Sequence, residues 1–238
     1  VKSDTIAAAM AGKMGFEKFD KSPQAAGEAS LAFGVASLAG GAASVAFGAG
    51  SEAYGLGATA FGVNTVAGVE NNILVGNGAT AFGNTTKATG NFATSFGTNT
   101  TATQTNATAW GHETLASGVD ATAFGRYTTA DGNHSTAWGY GATAQGNQAT
   151  AWGYNTKAIG THATAFGNGT IANGNDTLAF GLDTQAFGRQ SVSFGYNTIA
   201  GEEGNSDQGK HAVAFGDSTR ALSNNTLAYG IKTVVSAR

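Results

Sequence analysis

His134, His162 and His211 each stand five residues before a glycine that follows an aromatic residue. Three imidazoles in one register of a repeating chain invite a metal or anion reading. The same register, however, holds Phe92, Asn106, Asp120, Gln148 and Asp176. That is the mark of a variable turn position, and no ligand set accompanies it, so no metal is expected. His112 lies in a different register with no partner pattern. A second candidate is Gly201-Glu202-Glu203-Gly204-Asn205-Ser206-Asp207. Its carboxylates could attract a cation, but the spacing is not that of a calcium-binding loop. It reads as a solvated surface loop, and such loops often bind, which places Glu202 and Glu203 among candidate ligand contacts. Tyr54 and Phe187 occupy the variable place of an Ala-x-Gly motif, as does Ile159, while Tyr127, Tyr140, Tyr154 and Tyr196 lie just after a consensus glycine. With Arg126 and Arg189 nearby, these rings suit contact with a protein or a glycan, since Tyr and Arg dominate binding hot spots. No nucleophile elbow, phosphate-binding loop or dinucleotide fingerprint stands in a suitable context. There is no cysteine, hence no thiolate chemistry. No catalytic residue and no cofactor are expected, and the chain reads as a non-enzyme.

The elements that must position these residues are set by a beat. The ring before glycine falls at Phe33, Phe47, Phe61, Phe82, Phe96, Trp110, Phe124, Trp138, Trp152, Phe166, Phe180, Phe194 and Phe215, and Tyr229 closes the series. Every step is fourteen residues except Phe61 to Phe82 and Phe194 to Phe215, which are twenty-one. The strongest form is Ala107-Thr108-Ala109-Trp110-Gly111. Halfway through each period comes Ala-x-Gly, as in Ala130-Asp131-Gly132 and Ala144-Gln145-Gly146. A fixed period of this length means a solenoid whose coils stack on one another. Alternation within Ala-Thr-Ala-aromatic is the two-residue period of a strand, with alanines on one face and threonine and the ring on the other. A helical heptad is rejected, because a glycine in every seven residues costs about 1 kcal/mol at each helical position. The twenty-one-residue steps are expected to be surface insertions; the first, near Val69–Gly78, is read as either a protrusion or an extra half-coil.

A fourteen-residue coil is too slender to hide both faces, and a continuous column of rings exceeds the apolar patch that monomers normally show. Burying one phenylalanine contributes roughly 1.5–3 kcal/mol. The expected solution is self-association, with the ring column contributing to the apolar core of the assembly. Charged residues make up 11% of the chain, against roughly 25% in an average soluble protein. The formal net charge is −3, and no basic patch points to nucleic acid. No apolar run reaches the roughly eighteen residues of a spanning helix, so any membrane contact is expected through an anchor outside this chain.

The repeat resembles the YadA-like head domain of trimeric autotransporter adhesins. Ser44-Val45-Ala46-Phe47-Gly48 and His211-Ala212-Val213-Ala214-Phe215-Gly216 fit the family's small-Val-Ala-Ile-Gly motif, with Phe or Trp in the place of Ile. Thr156-Lys157-Ala158-Ile159-Gly160 fits its halfway motif. The resemblance implies an all-β, left-handed parallel β-roll over residues 25–230, assembling as a homotrimer at the tip of a bacterial surface fibre. It further implies adhesion to extracellular matrix protein, glycan or a cell-surface receptor, with anchoring in the outer membrane by the full-length protein. Residues 1–24 do not repeat and are expected to be a cap or adjoining segment, with a short helix over Ile6–Ala11; residues 231–238 are expected to begin a neck or connector. Two other readings stay open. The threonine column of Thr59, Thr80, Thr108, Thr122, Thr136, Thr150 and Thr164 suggests an ice-binding or structural fibre solenoid, and similar rolls sit on the contact fibres of phages or bacteria.

Overall fold

A computed structural model of the chain describes residues 22–72 and 74–236. The short helix expected over Ile6–Ala11, and the expected cap up to residue 21, lie outside the described residues. The chain divides into two compact units, Val1–Asp120 and Ala121–Arg238, and each is a stack of parallel coils. A coil contributes one longer strand, such as Thr108–His112, and one two-residue strand, such as Leu115–Ala116. Each strand pairs in parallel with its counterpart one coil away. In the first unit Thr94 faces Thr108 and Phe96 faces Trp110; in the second Thr136 faces Thr150 and Trp138 faces Trp152. Two parallel sheets result in each unit, with the strands in chain order. The fourteen-residue beat is therefore the register itself: each strand residue meets its counterpart from the next coil.

The strand alternation decides what lies inside. Ala107, Ala109 and Ala116 are fully buried and Thr114 nearly so, whereas Trp110 is 48% exposed. The same holds coil after coil, and no side chain larger than threonine is fully buried among the described residues. An interior this narrow brings the backbones of stacked coils close. A Cβ on Gly83, whose φ is +133°, would run into the carbonyl oxygen of Gly97, its counterpart in the next coil. That steric limit is why glycine follows the ring in every period.

The aromatic column takes no part in the core of its own roll. Apart from the half-buried Phe124, the rings from Phe33 to Phe215 are 36–48% exposed on the outer face of the longer strands. Alanine, threonine and serine fill the roll, because only they fit. The rings stack on one another instead, at 4.7 Å and 4° between Phe47 and Phe61 and at 4.8 Å and 3° between Phe166 and Phe180. Phenylalanine beside tryptophan tilts, as at Phe96–Trp110 with 46° between planes.

Both twenty-one-residue steps turn out to be loops. Phe61 stacks directly on Phe82 at 4.8 Å, and Thr59 pairs with Thr80 as if nothing intervened. Phe194 stacks on Phe215 at 5.0 Å, and Val192 pairs with Val213. The extra residues, 69–72, 74–75 and 202–208 among those described, leave the roll between two glycines that nearly touch. A Cβ on Gly76 would run into the Cα of Gly68, and one on Gly209 into the Cα of Gly201. The extra half-coil considered for the first step is excluded by this pairing. Strand pairing also runs past the expected boundary at Gly230, since Val234 pairs with Arg220 and Val235 with Ala221.

Candidate binding surface

The longer strands turn three columns of side chains outward: threonine or an aliphatic residue, then the ring, then the residue after glycine. In the second unit the third column begins Arg126, Tyr140, Tyr154 and Asn168, held in register by the strand pairing. Tyr140 and Tyr154 stack at 5.1 Å with 9° between their planes. Tyr127 is offset by one residue, but its φ of +58° swings it toward the column. Its ring meets Tyr140 edge-on at 5.5 Å and 85°. The Arg126 guanidinium lies 4.8 Å from the centre of the Tyr127 ring and 5.9 Å from that of Tyr140, and it donates to the Tyr127 hydroxyl at 3.1 Å. Trp138 and Trp152, stacked at 5.0 Å, occupy the next column on the same strands. The fold thus brings together three tyrosine rings and one cation beside the tryptophan column, a surface able to bind through ring edges, hydroxyls and cation–π contact.

The remaining candidates are placed elsewhere. Tyr196 shares the third column, but its strand neighbours there are Leu182 and Asp217. Tyr54 is half-buried in the first unit and donates from its hydroxyl to Glu52 Oε2 at 3.0 Å. Burial, then the Glu52 hydrogen bond and the negative charges of Glu52 and Glu70, push its phenol well above the ordinary tyrosine value. Phe187, expected as a surface contact, is only 5% exposed. Loop residues Gly204, Asn205 and Ser206 close over it and leave a cavity of about 220 Å³, lined also by Asn173. Its role as a ligand contact is corrected by this burial. Glu202 and Glu203 stand exposed on that loop. Asp207, on the same loop, pairs with Lys210 at 2.7 Å, and the hydrogen bond and charge of Lys210 hold its carboxyl below the usual range.

The histidine register is a turn position with a left-handed backbone: φ is +56° at His134, His162 and His211. The imidazoles bond along the stack, His162 Nδ1 with Asp176 Oδ1 at 3.0 Å and His211 Nε2 with Gln190 Oε1 at 2.6 Å. Among the described residues no group of three His, Cys, Asp or Glu side chains comes together in a metal-binding arrangement. The threonine column runs beside the ring column, with no second threonine column on that face: Thr136, Trp138 and Tyr140 are the outward residues of one strand. Among the described residues no helix is long and apolar enough to cross a membrane.

Sequence reasoning passed over Phe92, which it counted only as one more occupant of the variable turn register. It is among the most exposed rings described, at 65%. The available signal was its type, since Ala, Gly, Asn, Asp, His and Gln otherwise fill that register.

A family model described as the YadA head domain repeat, in two copies, matches residues 25–51, 75–100, 88–114, 116–142, 139–161, 144–170, 158–184, 172–198 and 208–232. The matched stretches omit 52–74 and 199–207, which contain nearly all of both loops. Among curated proteins no match to the chain is found.

Proposed function

The chain belongs to the family of YadA head domain repeats, and from that premise we propose that it is the non-enzymatic head of a bacterial surface adhesin, working as a homotrimer. The observation that carries this reading is the outward ring column. A large aromatic residue offers about 150–250 Å² for burial. With some two-fifths of each ring residue exposed, the six rings of the first unit present on the order of 500 Å². That is as much as the largest apolar patch of an ordinary monomer, and the threonine and aliphatic column beside it adds more. Three copies sharing one axis would cover these faces, with polar columns left at the rim. Attachment then works through many weak contacts along three chains, which act together through effective concentration. The tyrosine–arginine cluster of the second unit supplies the chemistry for a matrix protein, glycan or cell-surface receptor. Nucleic acid is not a partner, and a membrane is involved only through an anchor outside this chain, in the outer membrane.

The test is light scattering on the purified chain, followed by binding to matrix proteins, glycans and cells. The expected mass is three times the 23.7 kDa of one copy, with saturable attachment. Replacing Trp138 and Trp152 together by aspartate should give monomers and abolish multivalent attachment. A well-folded, soluble monomer of the unaltered chain would overturn the trimer.

A further inference from the structure

Phe92 occupies a backbone position that suits other residues. Each coil has a turn residue with φ near +55°, whose N–H bonds to the coil before. In the first unit this column includes Ala43, Gly57, Gly78, Phe92, Asn106 and Asp120. Glycine, asparagine and aspartate tolerate the left-handed region; a bulky ring does so at a cost. Burial does not offset that cost, because the ring is 65% exposed. Strain retained at an exposed site points to function.

The surroundings say what the function is. The ring packs over Gly78, where a Cβ would come within 2.7 Å of Cδ1 and 3.0 Å of Cε1. One coil further back, a Cβ on Gly57 would meet nothing within 4 Å. The ring thus covers the Gly78 rung, and the open Gly57 rung beyond it forms a shelf roughly 5 Å long, with the Phe92 ring as its end wall. The column alongside it reads Leu56, Asn77 and Asn91. Asn77 Oδ1 accepts from the Leu56 N–H at 3.0 Å, and Asn91 Oδ1 accepts from the Asn77 N–H at 3.0 Å. With both carbonyl oxygens held by backbone, each Nδ2 directs its N–H donors away from it. None of these six residues is charged.

We propose that this shelf is a subsite for a neutral glycan, with the apolar C–H face of a sugar against the Phe92 ring and its hydroxyls on the asparagine amides. The proposal rests on the adhesin reading but concerns a site separate from the tyrosine–arginine cluster. An anionic sugar gains nothing here, since no cationic side chain belongs to the shelf.

The experiment uses the assembled full chain. Neutral oligosaccharides of glucose, galactose and N-acetylglucosamine, with sulfated and sialylated counterparts, are titrated against wild type, F92N and G78N. Asparagine fits the backbone at both places, as Asn106 demonstrates. The expected result is neutral-sugar binding that falls at least tenfold in both variants, while the unfolding midpoint of F92N stays level or rises. A lowered midpoint would mark Phe92 as a packing residue and overturn the proposal. So would unchanged sugar binding in F92N, or binding that requires the anionic groups. If wild type attaches to proteins or cells but to no neutral sugar, the shelf proposal fails and the adhesin reading stands. If wild type attaches to nothing, the adhesin reading fails with it.

Discussion

Loop 69–75 in the first unit and loop 202–208 in the second leave their coils by the same kind of doorway, yet the second is far more acidic. Each starts after a glycine in the x place of the halfway motif, Gly68 with φ +94° and Gly201 with φ +92°. Each returns through a second glycine, Gly76 or Gly209, and each holds one isolated antiparallel bridge, Val69 with Asn72 or Glu202 with Asn205. One coil before each doorway stands an aromatic ring in the same x place: Tyr54 before Gly68, and Phe187 before Gly201. No other halfway motif of the chain has an aromatic in that place. The loop contents differ. The first exposes Leu74, at 76%, with the single carboxylate Glu70, and the second exposes three carboxylates, Glu202, Glu203 and Asp207. The comparison teaches that the doorway is a matter of backbone geometry and a supporting ring, while the residues between the glycines are free to vary.

The largest effects should come from closing the doorway. Gly76→Ala and Gly209→Ala each add a Cβ where a backbone Cα already stands, at positive φ. Each should lower stability by about 3 kcal/mol or more in urea unfolding. Tolerance of one but not the other would break the equivalence. Next come the supporting rings. Phe187→Ala should cost about 3 kcal/mol, and Tyr54→Ala clearly less because Tyr54 is only half-buried; equal costs would mean that the two loops cover their rings alike. Deleting loop 69–75 should matter little, within about 1 kcal/mol, whereas deleting 202–208 also uncovers Phe187 and should cost roughly 1.5–3 kcal/mol. Removing residues 202–208 joins Gly201 to Gly209 after Ala200, which recreates the Ala39-Gly40-Gly41 form found in an ordinary coil. A loss as large on deleting 69–75 would show that the first loop supports the roll as well.

The smallest effect is a difference in pH response. Because the Tyr54 phenol is raised in the fold, the unfolded chain loses that proton first. The contribution is intact below the ordinary tyrosine value of about 10 and fades as pH rises above it. Asp207 behaves oppositely. Its carboxyl is lowered in the fold, so its contribution is present above the ordinary aspartate value and fades as pH falls through the folded one. Protection of the two loops against hydrogen exchange, taken relative to the intrinsic rate at each pH, should therefore fall on the alkaline side for 69–75 and, slightly, on the acid side for 202–208. The reverse order would contradict both assignments.

Much of the fold was legible because a stacked coil reads its neighbour residue by residue. Phe96 facing Trp110 appears in the sequence as a spacing of fourteen. Which face turned inward was not legible: Ala-Thr-Ala-Phe alternates equally well either way until the width of the interior is known. Ser95 and Ser193 illustrate the same limit. Each stands in an alanine place and looks like a lapse in the pattern, but inside the roll each hydroxyl reaches a buried threonine five residues on, Thr100 or Thr198, at 2.7 Å. Of the candidate contacts, Tyr140 and Tyr154 follow from the register alone. The burial of Phe187 does not, because the residues that cover it lie seventeen to nineteen positions later.

Composition and spacing by themselves determined the period, the strand-and-turn alternation, the place of the glycines and the columns into which side chains fall, since all of these express contacts between a residue and its own repeat. The tertiary structure alone decided that alanine fills the roll and the rings stand outside, that seven residues bulge out at each long step, and that Phe92 ends an uncharged shelf. Those outcomes depend on distances across the coil and between non-equivalent positions, about which a one-dimensional beat carries no information.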